Sequence, residues 1–136
     1  MLAAYPACFY EEDDGRYSVI FPDLNVATQG DNLNDALAMA IDCLAGYIFM
    51  SNMEKETIPP PSDIKDIDIN SEYDEYKSAF INIVAVDVEE YAKAHFEIPV
   101  KKTLSIPKWL NDTAVAQKIN FSNVLQKALL KELKIG

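Results

Sequence analysis

Aromatic and β-branched residues dominate positions 3–10 (AAYPACFY) and 16–21 (RYSVIF), and the polar turn EEDDG lies between them. That arrangement predicts a β-hairpin. Pro22-Asp23 ends the second strand, and 24–29 (LNVATQ) supplies a third short strand before the Gly30-Asp31 turn. The period then changes. Leu33, Ala36, Leu37, Ala40, Ile41, Leu44 and Ile48 follow the i, i+3, i+4, i+7 spacing of one buried helix face. Asn32 suits the N-cap, Asp35 favours the first turn, and the helix runs to about Met53. Tyr47, Phe49 and Met50 broaden its apolar surface as core residues. The prolines of IPPPSD cannot continue a helix, so 54–78, including the acidic DIKDIDINSEYDEY, is expected to be a mobile connection. Residues 79–88 (AFINIVAVDV) are almost continuously apolar, which predicts a central strand covered on both faces, and 89–95 adds one or two helical turns as a link.

The last part follows another rhythm. Residues 98–106 (IPVKKTLSI) alternate, with Leu104 and Ile106 on one face and Lys101, Thr103 and Ser105 on the other. Pro107 opens a helix over about 107–117 (helix A). Ile119 and Asn120 form a turn, and Asn120 caps a helix over 121–134 (helix B) with Phe121, Val124, Leu125, Ala128, Leu129 and Leu133 inward. The expected class is α+β: a β-β-β-α-β domain over 1–95 and a β-α-α module over 96–136.

Charge separates the same two parts. Of the 136 residues, 1–98 hold 20 acids and 5 bases, net −15, whereas 99–136 hold 7 lysines against Asp112 and Glu132, net +5. An acidic domain repels nucleic acid and attracts a basic protein; a basic module suits a polyanion such as DNA. No apolar run is expected to reach the roughly 20 residues of a membrane span, and no basic stretch precedes an apolar N-terminus, so neither a membrane protein nor a signal peptide is expected. Two cysteines, Cys8 and Cys43, do not make a disulfide scaffold and fit a reducing, cytoplasmic setting as buried thiols. One histidine, His95, without a CxxC pair, argues against a zinc site.

A strand, a proline, a helix, a tight turn and a second helix in under 40 residues resemble the ribbon-helix-helix order, on KKTLSIPKWLNDTA and INFSNVLQKAL. A unit this small cannot bury its own core. The resemblance implies that two copies pair their strands and lay the ribbon in the DNA major groove. The front of the chain, YPACFYEEDDGRYSVIFPDL, TQGDNLNDALAMA and IPPPS, resembles the HicB antitoxin family. That resemblance covers 5–61 and 98–133 and leaves 62–78 unmatched. It implies a truncated ribonuclease-H-like N-terminal domain, a non-enzymatic antitoxin that neutralises a small basic HicA-type ribonuclease, and repression of its own operon by a homodimer or larger homo-oligomer. Two departures stand out: Asn25-Val26-Ala27 replaces the family's Pro-Gly-Cys, and Lys118 stands where a glycine usually ends helix A.

On the paired ribbon, Lys101, Thr103 and Ser105 would face base edges, and Lys102, on the other face, would snorkel or meet phosphate. Lys108, and the start of helix B with Asn120, Ser122 and Asn123, are the expected backbone contacts. Acid beside an aromatic group at Tyr10, Glu11, Glu12, Asp13 and Asp14, with Asp23 after the second strand, is the expected toxin-facing surface. A ribonuclease-H-type nuclease would instead gather Asp13, Asp14 or Asp23 around Mg²⁺, but no third carboxylate has a fixed spacing. A ligand-sensing DNA-binding regulator is a further alternative. No catalytic residue, metal ligand or cofactor is assigned.

Overall fold

The computed structural model describes residues 1–96 and 99–135. Its contacts divide the chain into two compact units, Met1–Ile98 and Pro99–Gly136. The first unit is a four-stranded sheet in the order β3-β2-β1-β4, with all neighbours antiparallel. β1 spans Leu2–Glu11, β2 Tyr17–Phe21, β3 Val26–Gly30 and β4 Ser78–Asp87. The third strand starts later than its sequence pattern predicts. Leu24 and Asn25 both donate their amides back to the Phe21 carbonyl, and Asn25 takes a left-handed φ of 53°, so 22–25 are a turn.

α1 (Leu33–Met53) lies on one face of the sheet. The Asn32 side chain accepts from the Asp35 amide at 2.9 Å and so satisfies an orphan donor of the first turn, while the Asp35 carboxylate accepts from the Asp31 amide at 2.8 Å and ties down the residue before the cap. Ala36, Ala40, Leu44, Ala45 and Ile48 are buried against Ala3, Tyr5, Ala7, Phe9, Val19 and Phe21. The small alanines let the helix approach closely. At Gly30 a Cβ would lie 2.3 Å from the Ala36 amide nitrogen, so only glycine fits where β3 meets α1. By length and composition α1 could cross a membrane, contrary to the expectation that no apolar run reaches that size. Its apolar face covers the sheet instead.

β4 is an edge strand, not the central strand its composition predicts. Among the described residues it pairs with β1 alone, from Leu2↔Asp87 to Glu11↔Ser78. Val84 and Val86 are buried beneath α1, and Phe80 stacks on Phe9 with ring centroids 5.0 Å apart, but Ile83 is 44% exposed. An uninterrupted apolar run cannot by itself separate a buried strand from an edge strand. α2 (Val88–His95) is capped by Asp87, whose side chain accepts from the Glu90 amide. It packs on α1: the Tyr91 hydroxyl donates to Asp42 at 2.9 Å, and Phe96 lies between Tyr91 and Phe49.

The connection from α1 to β4 is docked, not mobile. Tyr5 donates its hydroxyl to the Pro59 carbonyl at 2.6 Å, and Tyr10 donates to the Ile69 carbonyl at 2.6 Å. The Ser62 amide and hydroxyl both donate to the Asp23 carboxylate. A 3-10 turn over Ile64–Asp66 is capped by Asp63. Because β4 runs antiparallel to β1, this segment must travel from one end of the sheet to the other, and these bonds fix its path.

In the second unit, α3 spans Lys108–Ala116 and α4 spans Phe121–Glu132. Pro107 stands at the N-cap of α3. Asn120 caps α4, its side chain accepting from the Asn123 amide at 3.0 Å. Lys118 adopts φ 57° between the helices, taking the conformation a glycine would adopt without strain. No strand forms over 99–107, and residue 98 of the expected 98–106 strand lies outside the described residues. A strand needs a partner edge, and this unit supplies none. Nor are the helix B residues expected to face inward buried: Phe121, Val124, Leu129 and Leu133 are exposed.

Candidate functional site

Two surfaces of opposite charge carry the candidate residues, one on each unit. The acidic one is built at the β1–β2 hairpin. Glu12 and Arg16 close the turn by a backbone bond of 2.8 Å, and Gly15, with φ 90°, makes the reversal. Asp13 and Asp14 stand exposed at its tip. Asp14 is paired with Arg16 at 2.8 Å, and this contact holds its carboxyl below the usual range, the side-chain hydrogen bond being the main cause. Glu11 accepts from the Ser78 hydroxyl at 2.7 Å, and Glu12 from Ser18 and from the Tyr73 hydroxyl at 2.9 Å.

Two expected surface groups take structural positions. Tyr10 is 1% exposed, so its ring is not available to a partner. It lies edge-on to Tyr73, with centroids 5.2 Å apart, and its hydroxyl anchors the 54–77 segment. Burial pushes its phenol well above the ordinary value. Asp23 is half-buried, is engaged by Ser62 and pins the same segment. In their place the structure brings Tyr73 to the hairpin. Its phenol is raised first by the bond to Glu12, then by burial and by the charges of Glu12, Glu75 and Asp13. The acidic surface therefore includes the 72–75 stretch, which sequence reasoning left as a connection. Two tyrosines three residues apart, Tyr73 and Tyr76, within an acidic run are the sign the sequence carries. An open cleft of about 440 Å³ between Glu12, Asp13, Arg16, Tyr17 and Gln29 adjoins this surface. Among the described residues, no group of three His, Cys, Asp or Glu side chains is placed to hold a metal ion.

The basic surface belongs to the second unit. Lys101, Lys102, Thr103 and Ser105 are exposed in the segment before α3. Lys108 is exposed and pairs with Asp112 at 2.7 Å, one turn along α3. At the start of α4, Asn120 and the Asn123 amide satisfy each other, while Ser122 is exposed in the first turn. The same unit exposes Trp109 (69%), Leu104 (64%) and Leu133 (65%), with no residue of either helix buried. Its lysines and its apolar residues are therefore both on offer to partners.

An acidic α+β domain joined to a small basic helical unit with an open apolar surface defines a two-part binding protein. The description "HicB_like antitoxin of bacterial toxin-antitoxin system" matches residues 5–129, and the chain belongs to this family. A chain of a toxin-antitoxin complex from Streptococcus pneumoniae is 34% identical, with a TM-score of 0.63 over 97% of this chain and 99% of that one. The antitoxin HicB of Burkholderia pseudomallei is similar in fold at 20% identity, with a TM-score of 0.53 and 96% of each chain covered. The N-terminal domain of that antitoxin matches 62% of this chain and 99% of its own length at 22% identity, with a TM-score of 0.52. No curated protein matches.

Proposed function

We propose that this antitoxin binds and inhibits a small basic ribonuclease of HicA type through its acidic N-terminal unit and represses its own operon through its basic C-terminal unit. The observation that carries this division is the charge split, −15 over 1–98 against +5 over 99–136, on two separately packed units. A toxin that binds RNA must present cationic surface, and the exposed Asp13 and Asp14 with the Glu72–Glu75 stretch offer it complementary charge. Glu11 and Glu12 hold that surface in shape; Tyr10 and Asp23 hold the segment behind it.

The C-terminal unit acts as a ribbon-helix-helix dimer. Its exposed apolar residues need a partner, and residues 99–106 need a strand edge; a second copy supplies both. Lys101, Thr103 and Ser105 then face bases, Lys102 and Lys108 meet phosphates, and the first turn of α4 receives another phosphate at Ser122, with Asn120 and Asn123 holding that turn in shape. The N-terminal unit is a truncated ribonuclease-H-like domain that works by shielding, without catalysis of its own.

A fragment of residues 1–98 tests the division. It keeps Phe96, which packs on Phe49 and Tyr91. The fragment should co-purify with the toxin and block RNA cleavage, with some loss of affinity as bivalent presentation disappears, and should not bind operator DNA. Neutralisation by residues 99–136 and not by 1–98 would overturn the proposal.

A further inference from the structure

The sheet face turned away from α1 is covered over β1 and open over β2 and β3. By strand alternation Cys8, Ile20 and Ala27 form one row across that face, and Tyr10, Ser18 and Gln29 form the next. On β1 these side chains are buried, and the Tyr10 hydroxyl ties the 54–77 segment there through the Ile69 carbonyl. On the outer strands Ile20 is half-buried, while Ala27 and Gln29 are exposed. The cover stops at Glu72 and Tyr73, which stand as a wall fixed by the Tyr73 bond to Glu12 and its edge-on contact with Tyr10. Between this wall and the strands lies an open cleft of about 550 Å³, floored by Ile20 and Ala27 and reaching Met39 of α1. It shares Ser18 and Gln29 with the cleft of about 440 Å³ beside Glu12 and Asp13, so the two form one groove.

The ends of the groove differ in chemistry. Ile20, Ala27 and Met39 make one end apolar; Glu12, Asp13 and Asp14 line the other with Arg16, and Glu72 stands on the wall between them. Arg16 pairs with Asp14, and Glu12 accepts only from two hydroxyls. Among the described residues no ion pair answers Glu12, Asp13 or Glu72. A strand rise of about 3.3 Å per residue puts Arg16 about 13 Å from Ile20, the length of about four extended residues. We propose that the groove seats an extended segment of the toxin, with an apolar side chain on Ile20 and Ala27 and a lysine or arginine about four residues away at Glu12, Asp13 and Glu72. This rests on the reading of the N-terminal unit as the toxin-binding unit and narrows it from a charged surface to one groove. A second copy would bring its own acidic surface against these carboxylates, and nucleic acid is repelled by the same charge; a cationic protein matches it.

The test titrates the full chain with the HicA-type toxin in a calorimeter. Ala27→Trp fills the apolar end without changing charge and should weaken binding roughly tenfold or more, whereas Ala85→Trp, at an exposed alanine on the same face of β4, should stay within about twofold of the wild type. Glu72→Lys should also cost roughly tenfold or more, while Asp66→Lys makes the same change of charge at an exposed site outside the groove and should cost about twofold. Thiol footprinting reports on the groove even where Ala27→Trp disturbs the strand. A Gln29→Cys thiol should alkylate fast in the free chain and roughly tenfold more slowly in the complex, and an Ala85→Cys thiol equally fast in both, over the slow background of buried Cys8 and half-buried Cys43. If Ala27→Trp and Glu72→Lys bind as the wild type does, if Glu72→Lys and Asp66→Lys lose equally, or if the toxin leaves the Gln29→Cys thiol open, the groove assignment falls and the charge division stands. Slow alkylation of Gln29→Cys in the free chain would give the groove to another copy or to residues 99–106 and overturn the proposal. A wild type that binds no toxin overturns both readings.

Discussion

Tyr10→Phe isolates one atom of the fold. The ring stays, so its contacts with Tyr73 and Tyr76 remain, and only the hydroxyl that donates to the Ile69 carbonyl at 2.6 Å is lost. A typical hydrogen bond contributes about 0.5–1.5 kcal/mol net, and stranding a buried acceptor raises the cost toward about 1–3 kcal/mol. Tyr10 is almost fully buried, but the bond lies partly open, so about 1–2 kcal/mol is expected. Such a loss multiplies the open population about 5- to 30-fold. The effect should be local, because the bond ties 54–77 to the sheet and does not touch the core between α1 and β1. Hydrogen exchange resolved by residue measures it: amides over 64–76 should accelerate by that factor while those of α1 barely change. Tyr73→Phe, which removes only the partly buried bond to Glu12, should do less. Unchanged exchange over 64–76, or equal acceleration throughout α1, would refute the anchoring role.

Leu44→Ala should cost about 2–5 kcal/mol in urea denaturation, because Leu44 is completely buried between α1 and the sheet. The Tyr5 and Tyr10 phenols are both raised above 10.0, chiefly by burial. Their native state favours the protonated form, so this stability is full below pH 10 and is lost as pH rises through the folded values; phenolate absorbance and ellipticity should change together above pH 10. Burial also raises both thiols, so alkylation at neutral pH should be slow, with half-buried Cys43 reacting before Cys8. Thr103→Ala and Ser105→Ala should weaken operator binding more than random-DNA binding, and Lys101→Ala should cost about 1–3 kcal/mol on the operator if it contacts guanine. Lys108→Ala should weaken both alike and flatten the salt dependence, although its Asp112 pairing reduces the change.

Local rules made much of the fold legible. The spacing from Leu33 to Ile48 marked α1, and Asn32 and Asn120 marked two helix starts that side-chain caps now explain. The misplaced elements depend on distant partners. β4 looks central because apolar composition is the same for an edge strand beside one neighbour as for a strand between two. The docked 54–77 segment was illegible because tyrosine hydroxyls from β1 hold its backbone carbonyls, and no periodicity within the segment records that. The same bonds moved Tyr10 and Asp23 from the surface to the scaffold and brought Tyr73 to the acidic hairpin. The lysine-rich segment shows the opposite case: its alternation is plain in the sequence, but a strand there waits on an edge from elsewhere.

The open apolar surface of the C-terminal unit also gives the two halves of one chain different thermodynamics. The N-terminal half folds on contacts within itself, so its melting temperature should ignore dilution. If the C-terminal half completes its core only by pairing, its order follows mass action, rising with protein concentration and with any DNA that binds the paired form. Heating at several concentrations should then separate one fixed transition from one that moves. In a cell, the fraction of chains competent to occupy an operator would register how much of the protein has accumulated, a gauge made from hydrophobic residues that one chain cannot cover.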